Sequence, residues 1–143
     1  MKSESSAKDS PETGSAVFSA NTNNAVVRYQ VQDVDRSITF YTERLGFQLV
    51  QKAGPVGIIS RGDLYLLLSG AEASGSRKMP DGRSQDSGGW NRIVLYVESI
   101  DDSINTLKRT DTTFRNELEV GPGGKQILID DPDGNPIELH EAP

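Results

Sequence analysis

Asp33-Val34-Asp35-Arg36-Ser37-Ile38-Thr39-Phe40-Tyr41, closing on Leu45-Gly46-Phe47, is the stretch on which the fold turns. Val34, Ile38, Tyr41 and Leu45 recur at the spacing of one helical face. Asp33 stands where an N-cap belongs, and Gly46 lies just past the end as a stop. The outline returns later in the chain. Ile100, Ile104 and Leu107 repeat the face, with Ser99 as N-cap and Asp102 three residues on in the manner of a capping box. At one constant offset Asp33 matches Ser99, Val34 matches Ile100, Ser37 matches Ser103, Ile38 matches Ile104 and Tyr41 matches Leu107.

Working outward, an alternating strand precedes each predicted helix, at residues 27–31 and 93–97. Three further strands follow each helix. In the first copy they fall at 47–52, 56–60 and 64–69, broken at Gly54-Pro55 and Arg61-Gly62-Asp63. In the second they fall at 114–120, 125–130 and 137–140, broken at Gly121-Pro122-Gly123-Gly124 and at Asp131-Pro132-Asp133-Gly134-Asn135-Pro136. The chain thus reads β-α-β-β-β twice. Module one occupies residues 25–70 and module two residues 90–143. Residues 71–89, rich in Gly, Ser and charge, form a linker or a lid.

Strand parity assigns the faces. Val27, Tyr29 and Val31, like Ile93, Leu95 and Val97, form apolar faces that should pack on the helices. Val26, Arg28 and Gln30, and in the second copy Arg92, Val94 and Tyr96, point the other way. On the last strand Ile137 and Leu139 belong to the core, and Glu138 and His140 to the opposite side.

With 143 residues, about a third of them apolar, the chain suits one domain with a real core. Cysteine is absent, which rules out disulfides, thiolate metal sites and cysteine nucleophiles, and suits a reducing, cytoplasmic setting. Residues 1–24 are polar and lack the apolar run of a secretory signal, so they read as a mobile tail. No stretch is long enough to span a bilayer. A formal net charge of -6 with scattered basic residues argues against general nucleic-acid binding. The glycine-rich stretches match neither the P-loop nor the dinucleotide fingerprint, and no serine sits in a nucleophile elbow.

The helix stretch at 33–47, together with Asp131-Pro132-Asp133-Gly134-Asn135-Pro136-Ile137-Glu138-Leu139, resembles the vicinal oxygen chelate superfamily of glyoxalases, bleomycin resistance proteins and extradiol dioxygenases. The resemblance covers nearly all of residues 26–141. It implies an α+β fold in which two tandem β-α-β-β-β modules form a curved, mostly antiparallel open-barrel sheet, with helices on the convex side and a ligand on the concave side. It further implies a small-molecule partner and a homodimer. Metal-dependent members hold a divalent ion through side chains on the first and last strands of each module. The bleomycin-resistance branch binds its ligand without one.

Carried onto this chain, those metal positions fall on Val26, Leu66, Arg92 and Glu138, of which only Glu138 can ligate. A transition metal needs several His, carboxylate or thiolate donors converging at about 2.0–2.3 Å. The chain has one histidine, His140. No cofactor is therefore expected. A displacement of the assignment by a residue or two would leave Glu138, His140 and Gln30 as a weak, oxygen-rich site for magnesium or manganese.

Arg92 in a ligand position suggests another use of the cavity, because a guanidinium fork suits a carboxylate or phosphate. In one reading Arg92, with Arg28, Gln30, Trp90, Asn91 and Tyr96, orients an anionic or aromatic ligand. In the other, Arg92 pairs internally with Glu138. Glu138 and His140 are the candidate acid–base groups. Three functions stay open: a metal-free small-molecule-binding protein; a lyase, isomerase or dioxygenase using Glu138; and an interaction module with a vestigial pocket.

Overall fold

The computed structural model describes residues 25–143. The chain divides between Asp86 and Ser87 into two compact units, and each is built as the repeat requires.

In the first unit, β1 (Val26–Gln30) leads into helix α1 (Val34–Arg44), followed by β2 (Gln48–Ala53), β3 (Val56–Arg61) and β4 (Leu64–Ser69). The strand order is β1-β4-β3-β2. Only the β1–β4 pair is parallel, because the helical crossover returns the chain in the direction in which it began. Asp33 caps α1, its carboxylate accepting the N–H of Arg36 at 3.1 Å. The helix ends at Arg44, and Gly46, just past its cap, takes a φ of 75°. Its buried face is Val34, Ser37, Phe40 and Tyr41, with Leu45 behind. Phe40 is therefore a core residue that the predicted stripe omitted, while Ile38 is only partly covered. Tyr41 stands edge-on to both Phe40 and Phe47 at 5.3 Å between ring centroids. Tyr29 and Val31 are buried as parity requires, whereas Val27, at the start of the edge strand β1, is left exposed.

In the second unit, β5 (Ile93–Tyr96) leads into α2 (Ile100–Lys108), followed by β6 (Thr113–Phe114), β7 (Glu119–Gly121), β8 (Gly124–Asp130) and β9 (Pro136–Glu141). The order β5-β9-β8-β6, with β7 also on β8, mirrors the first sheet. β5 runs parallel to β9. Ser99 caps α2 by accepting the N–H of Asp102 at 3.2 Å. The N–H of Ile100 goes instead to the carboxylate of Glu141, far along the chain, at 2.9 Å. Ile100, Ile104 and Leu107 are buried as predicted, along with Ile129, Ile137 and Leu139.

The fold is α+β, with two helices and two open, mixed sheets. Among the described residues, no helix is long and apolar enough to cross a membrane. The reading of residues 1–24 as a tail lies outside the described residues.

One predicted strand is corrected. Residues 114–120 are not continuous: the chain leaves β8 after Arg115, whose N–H still reaches the carbonyl of Leu128 at 2.9 Å, and rejoins it at Glu119. In the gap, the side-chain oxygen of Asn116 accepts the N–H of Leu128 at 2.9 Å, doing what a backbone carbonyl would do in an unbroken ladder.

Candidate functional site

The alternation of β9 decides what each sheet face can do. Glu138 lies opposite Val94 on β5 and Leu128 on β8; His140 lies opposite Tyr96 and Gln126. These residues share one face, while Ile137 and Leu139 turn to the other and are buried.

On the Glu138 face a charged cluster forms. Arg92 donates to one oxygen of Glu138 from Nε at 3.0 Å and from Nη2 at 2.9 Å. The other Glu138 oxygen lies 3.0 Å from His140 Nδ1, and His140 Nε2 lies 2.9 Å from the carbonyl of Gly123. Both ring nitrogens thus face acceptors, an arrangement that only the doubly protonated imidazolium satisfies fully. The hydrogen bond to Glu138 and then that to Gly123 raise the His140 pKa; burial lowers it in part, and the charge of Glu138 adds the least. Glu138 is only 7 % exposed, so its carboxylate relies on these partners. Of the two arrangements open for Arg92, the structure contains the internal ion pair, extended to a third member by His140.

Two aromatic residues adjoin the cluster, Tyr96 by its ring and Trp90 by its backbone. Tyr96 is 63 % exposed and tilts against the His140 ring at 5.1 Å. Trp90 is 69 % exposed, and its carbonyl accepts from Arg92 Nη1 at 3.4 Å. Asn91 is exposed between them.

Arg28 and Gln30 belong to the first unit. Arg28 Nη1 donates to the hydroxyl of Ser69 at 2.9 Å, and Ser69 exchanges a 3.0 Å bond with Ser76. Ser76 donates to Gln30 at 2.7 Å, and Gln30 donates to the carbonyl of Gly75 at 2.9 Å. Part of what reads as a linker is therefore a short turn, Ser74–Ser76, fastened to the polar face of the first sheet.

The registers also correct one carried-over metal position. Leu66 pairs with Val27 and is fully buried on the helix-facing side. The residue that corresponds to Glu138 is Leu67, opposite Arg28 as Glu138 is opposite Val94. The donor set remains as poor, since Leu67 cannot ligate either. Among the described residues, no three His, Cys, Asp or Glu side chains converge so as to hold a metal ion. The family's metal does not fit these residues: Arg92 stands at one position, aliphatic groups at two others, and Glu138 is already engaged at both oxygens.

Residues 24–139 match the family model of the glyoxalase/bleomycin resistance protein/dioxygenase superfamily. The chain belongs to that superfamily. Solved structures of the superfamily's fold agree. A lactoylglutathione lyase from Agrobacterium tumefaciens is 24 % identical, with a TM-score of 0.62 over 82 % of this chain and 92 % of that one. A superfamily member from Sphaerobacter thermophilus is 25 % identical, with a TM-score of 0.64 over 84 % and 98 %. An antibiotic binding protein from a Streptomyces species is 22 % identical, with a TM-score of 0.61 over 84 % and 97 %. No curated protein sequence matches the chain. At such identities the fold is shared, and within this superfamily fold leaves function to the site.

Sequence reasoning missed Arg115, Asp131 and Asn135. Arg115 ion-pairs with Asp130 and packs its guanidinium 4.7 Å from the centre of the Trp90 ring. Buried Asp131 accepts from the N–H groups of Asp133 and Asn135 and from the Asn135 side chain, which makes the turn before β9 rigid. The turn motif was visible in the sequence, but the bonds that Asn135 and Arg115 make to the segment before Trp90 were not.

Proposed function

We propose that this superfamily member binds a small, flat aromatic acid on the Glu138 face of its second sheet, without a transition metal, as a cytoplasmic homodimer. The observation that carries this reading is the Arg92–Glu138–His140 cluster, with the exposed ring of Tyr96 against His140 and the exposed Trp90 joined to Arg92 through its carbonyl. Aromatic surface left to solvent at such a cluster offers stacking area near the Arg92 guanidinium. Two of the five Arg92 N–H groups go to Glu138 and one to the Trp90 carbonyl, and those that remain favour an anion. A cationic drug would meet the wrong sign. Glu138 then acts as the anchor that orients Arg92, and the ligand's acid group approaches the N–H groups of Arg92 that Glu138 does not take. The lack of cysteine suits the cytoplasm. The Streptomyces antibiotic binding protein supports a binding role on this fold.

Calorimetric titration with naphthalene sulfonate and simple aromatic carboxylates, alongside metal analysis of the purified protein, tests the proposal. Binding in metal-free protein, weakened by Trp90→Leu and by Arg92→Met, is the expected result. Stoichiometric metal lost on Glu138→Ala would replace the proposal with a metal-dependent lyase, isomerase or dioxygenase. Failure of every aromatic acid to bind would leave an interaction module with a vestigial pocket.

A further inference from the structure

Trp90 follows Gly88 and Gly89, two residues with positive φ that give a chain little stiffness of its own. Its indole is mostly exposed, so burial does little to fix it. Its position is nevertheless determined by contacts from within the second unit. The hydroxyl of Ser87 donates to the carbonyl of Asp133 at 2.8 Å, and the N–H of Gly88 donates to Asn135 at 2.9 Å.

Arg115 completes the set. Its Nε is bonded to Asp130, Nη1 donates to the carbonyl of Gly89 at 2.7 Å, and Nη2 donates to the carbonyl of Gly134 at 2.9 Å. The plane that these three bonds fix is the one against which Trp90 rests. An arginine whose side chain is only 16 % exposed is thus committed to holding a largely solvent-facing ring. Packing alone gives little reason for this, since a ring left in water contributes little burial.

We propose that Arg115 is the positioning residue of the ligand-binding surface: it fixes Trp90 as a rigid shelf, one face on the guanidinium and the other free to stack a flat aromatic acid. This inference rests on the function proposed above. Arg115 itself does not touch the ligand. Pre-ordering the ring removes conformational freedom that binding would otherwise have to freeze, and the guanidinium behind it draws electron density toward itself, which suits an electron-rich or anionic partner.

The test is Arg115→Lys, which keeps the charge beside Asp130 but lacks the planar fork that reaches two carbonyls. Trp90 is the only tryptophan, so intrinsic fluorescence reports on it alone. In ligand-free protein, Arg115→Lys is expected to increase fast local depolarisation and acrylamide quenching of Trp90, with the far-ultraviolet circular dichroism unchanged. Naphthalene sulfonate affinity should fall about two- to fivefold, as expected for loss of one partly exposed cation–π contact. In a Trp90→Leu background the same substitution should have no further effect.

Unchanged depolarisation would overturn the inference. So would an equal loss of affinity in the Trp90→Leu background, which would mean that Arg115 acts on the ligand directly or through the fold. If the wild-type protein does not bind the probe, the proposed function fails, while the depolarisation comparison still decides the role of Arg115.

Discussion

Replacing Arg92 by methionine removes the guanidinium that faces Glu138, and the consequence can be worked from the geometry. Glu138 is 7 % exposed, and one of its oxygens takes both Arg92 bonds, at 2.9 and 3.0 Å. Removing one member of a fully buried pair typically costs about 3–5 kcal/mol, because the other charge stays desolvated. Two features reduce that here. The Arg92 side chain retains 30 % exposure, so water screens the pair, and His140 remains beside the carboxylate. We expect a loss of about 1–2 kcal/mol, or roughly 3–6 °C in Tm for a chain of this size.

The loss should also depend on pH with a definite sign. While His140 holds its proton, Glu138 still has a cation; above the raised His140 pKa it has none. The Arg92→Met penalty should therefore be larger in alkaline than in mildly acidic buffer. Urea denaturation of the wild type, Arg92→Met, Glu138→Gln and the double variant, at both pH values, measures the coupling directly. Additivity of the two single variants to within about 0.5 kcal/mol would refute the reasoning, as would a penalty that is greater on the acid side.

Three other perturbations follow from the same structure. The raised His140 pKa means that its contribution to stability is fully present below the ordinary imidazole value of 6.5 and is lost as pH rises through the folded-state value. NMR titration of this single histidine should give a midpoint above 6.5, and His140→Gln should remove the corresponding slope in stability; a midpoint at or under that value contradicts the geometry. Gly124→Ala would place a Cβ 2.1 Å from the carbonyl oxygen of Glu141 at a φ of 112°, so β8 and β9 would have to separate at that end. A loss of about 2 kcal/mol or more is expected by thermal or chemical denaturation, and a neutral result would mean that the hairpin end yields easily. Asp131→Ala removes the acceptor of three hydrogen bonds in the turn before β9 and should cost about 2–3 kcal/mol. Because Asn135 holds Gly88, it should also increase the mobility of Trp90 fluorescence, and rigid emission in the destabilised variant would argue against the link.

The amino-acid sequence by itself determined what depends on near neighbours. The helix faces, the Asp33 and Ser99 caps, the stop at Gly46 and the turns at Gly54-Pro55 and Arg61-Gly62-Asp63 all express local geometry, and the duplication let one copy check the other. Strand parity likewise sufficed to put Glu138 and His140 on the face opposite Ile137 and Leu139, since alternation is a property of one strand.

Tertiary structure alone decided which residues meet. Leu66 and Leu67 differ only in register, and the β1–β4 register depends on how α1 carries the chain across the sheet. The break between β6 and β7 depends on an Asn116 side chain meeting a backbone N–H on β8. Arg92 had two admissible partners in the sequence, a ligand or Glu138, and the parallel pairing of β5 with β9 brought the carboxylate within reach. The Arg115 clamp joins a broken strand, a turn and the approach to β5, three segments whose proximity no local pattern encodes. Charge and hydrogen-bonding capacity are written residue by residue. Their satisfaction is a long-range matter, and it is there that this site acquires its chemistry.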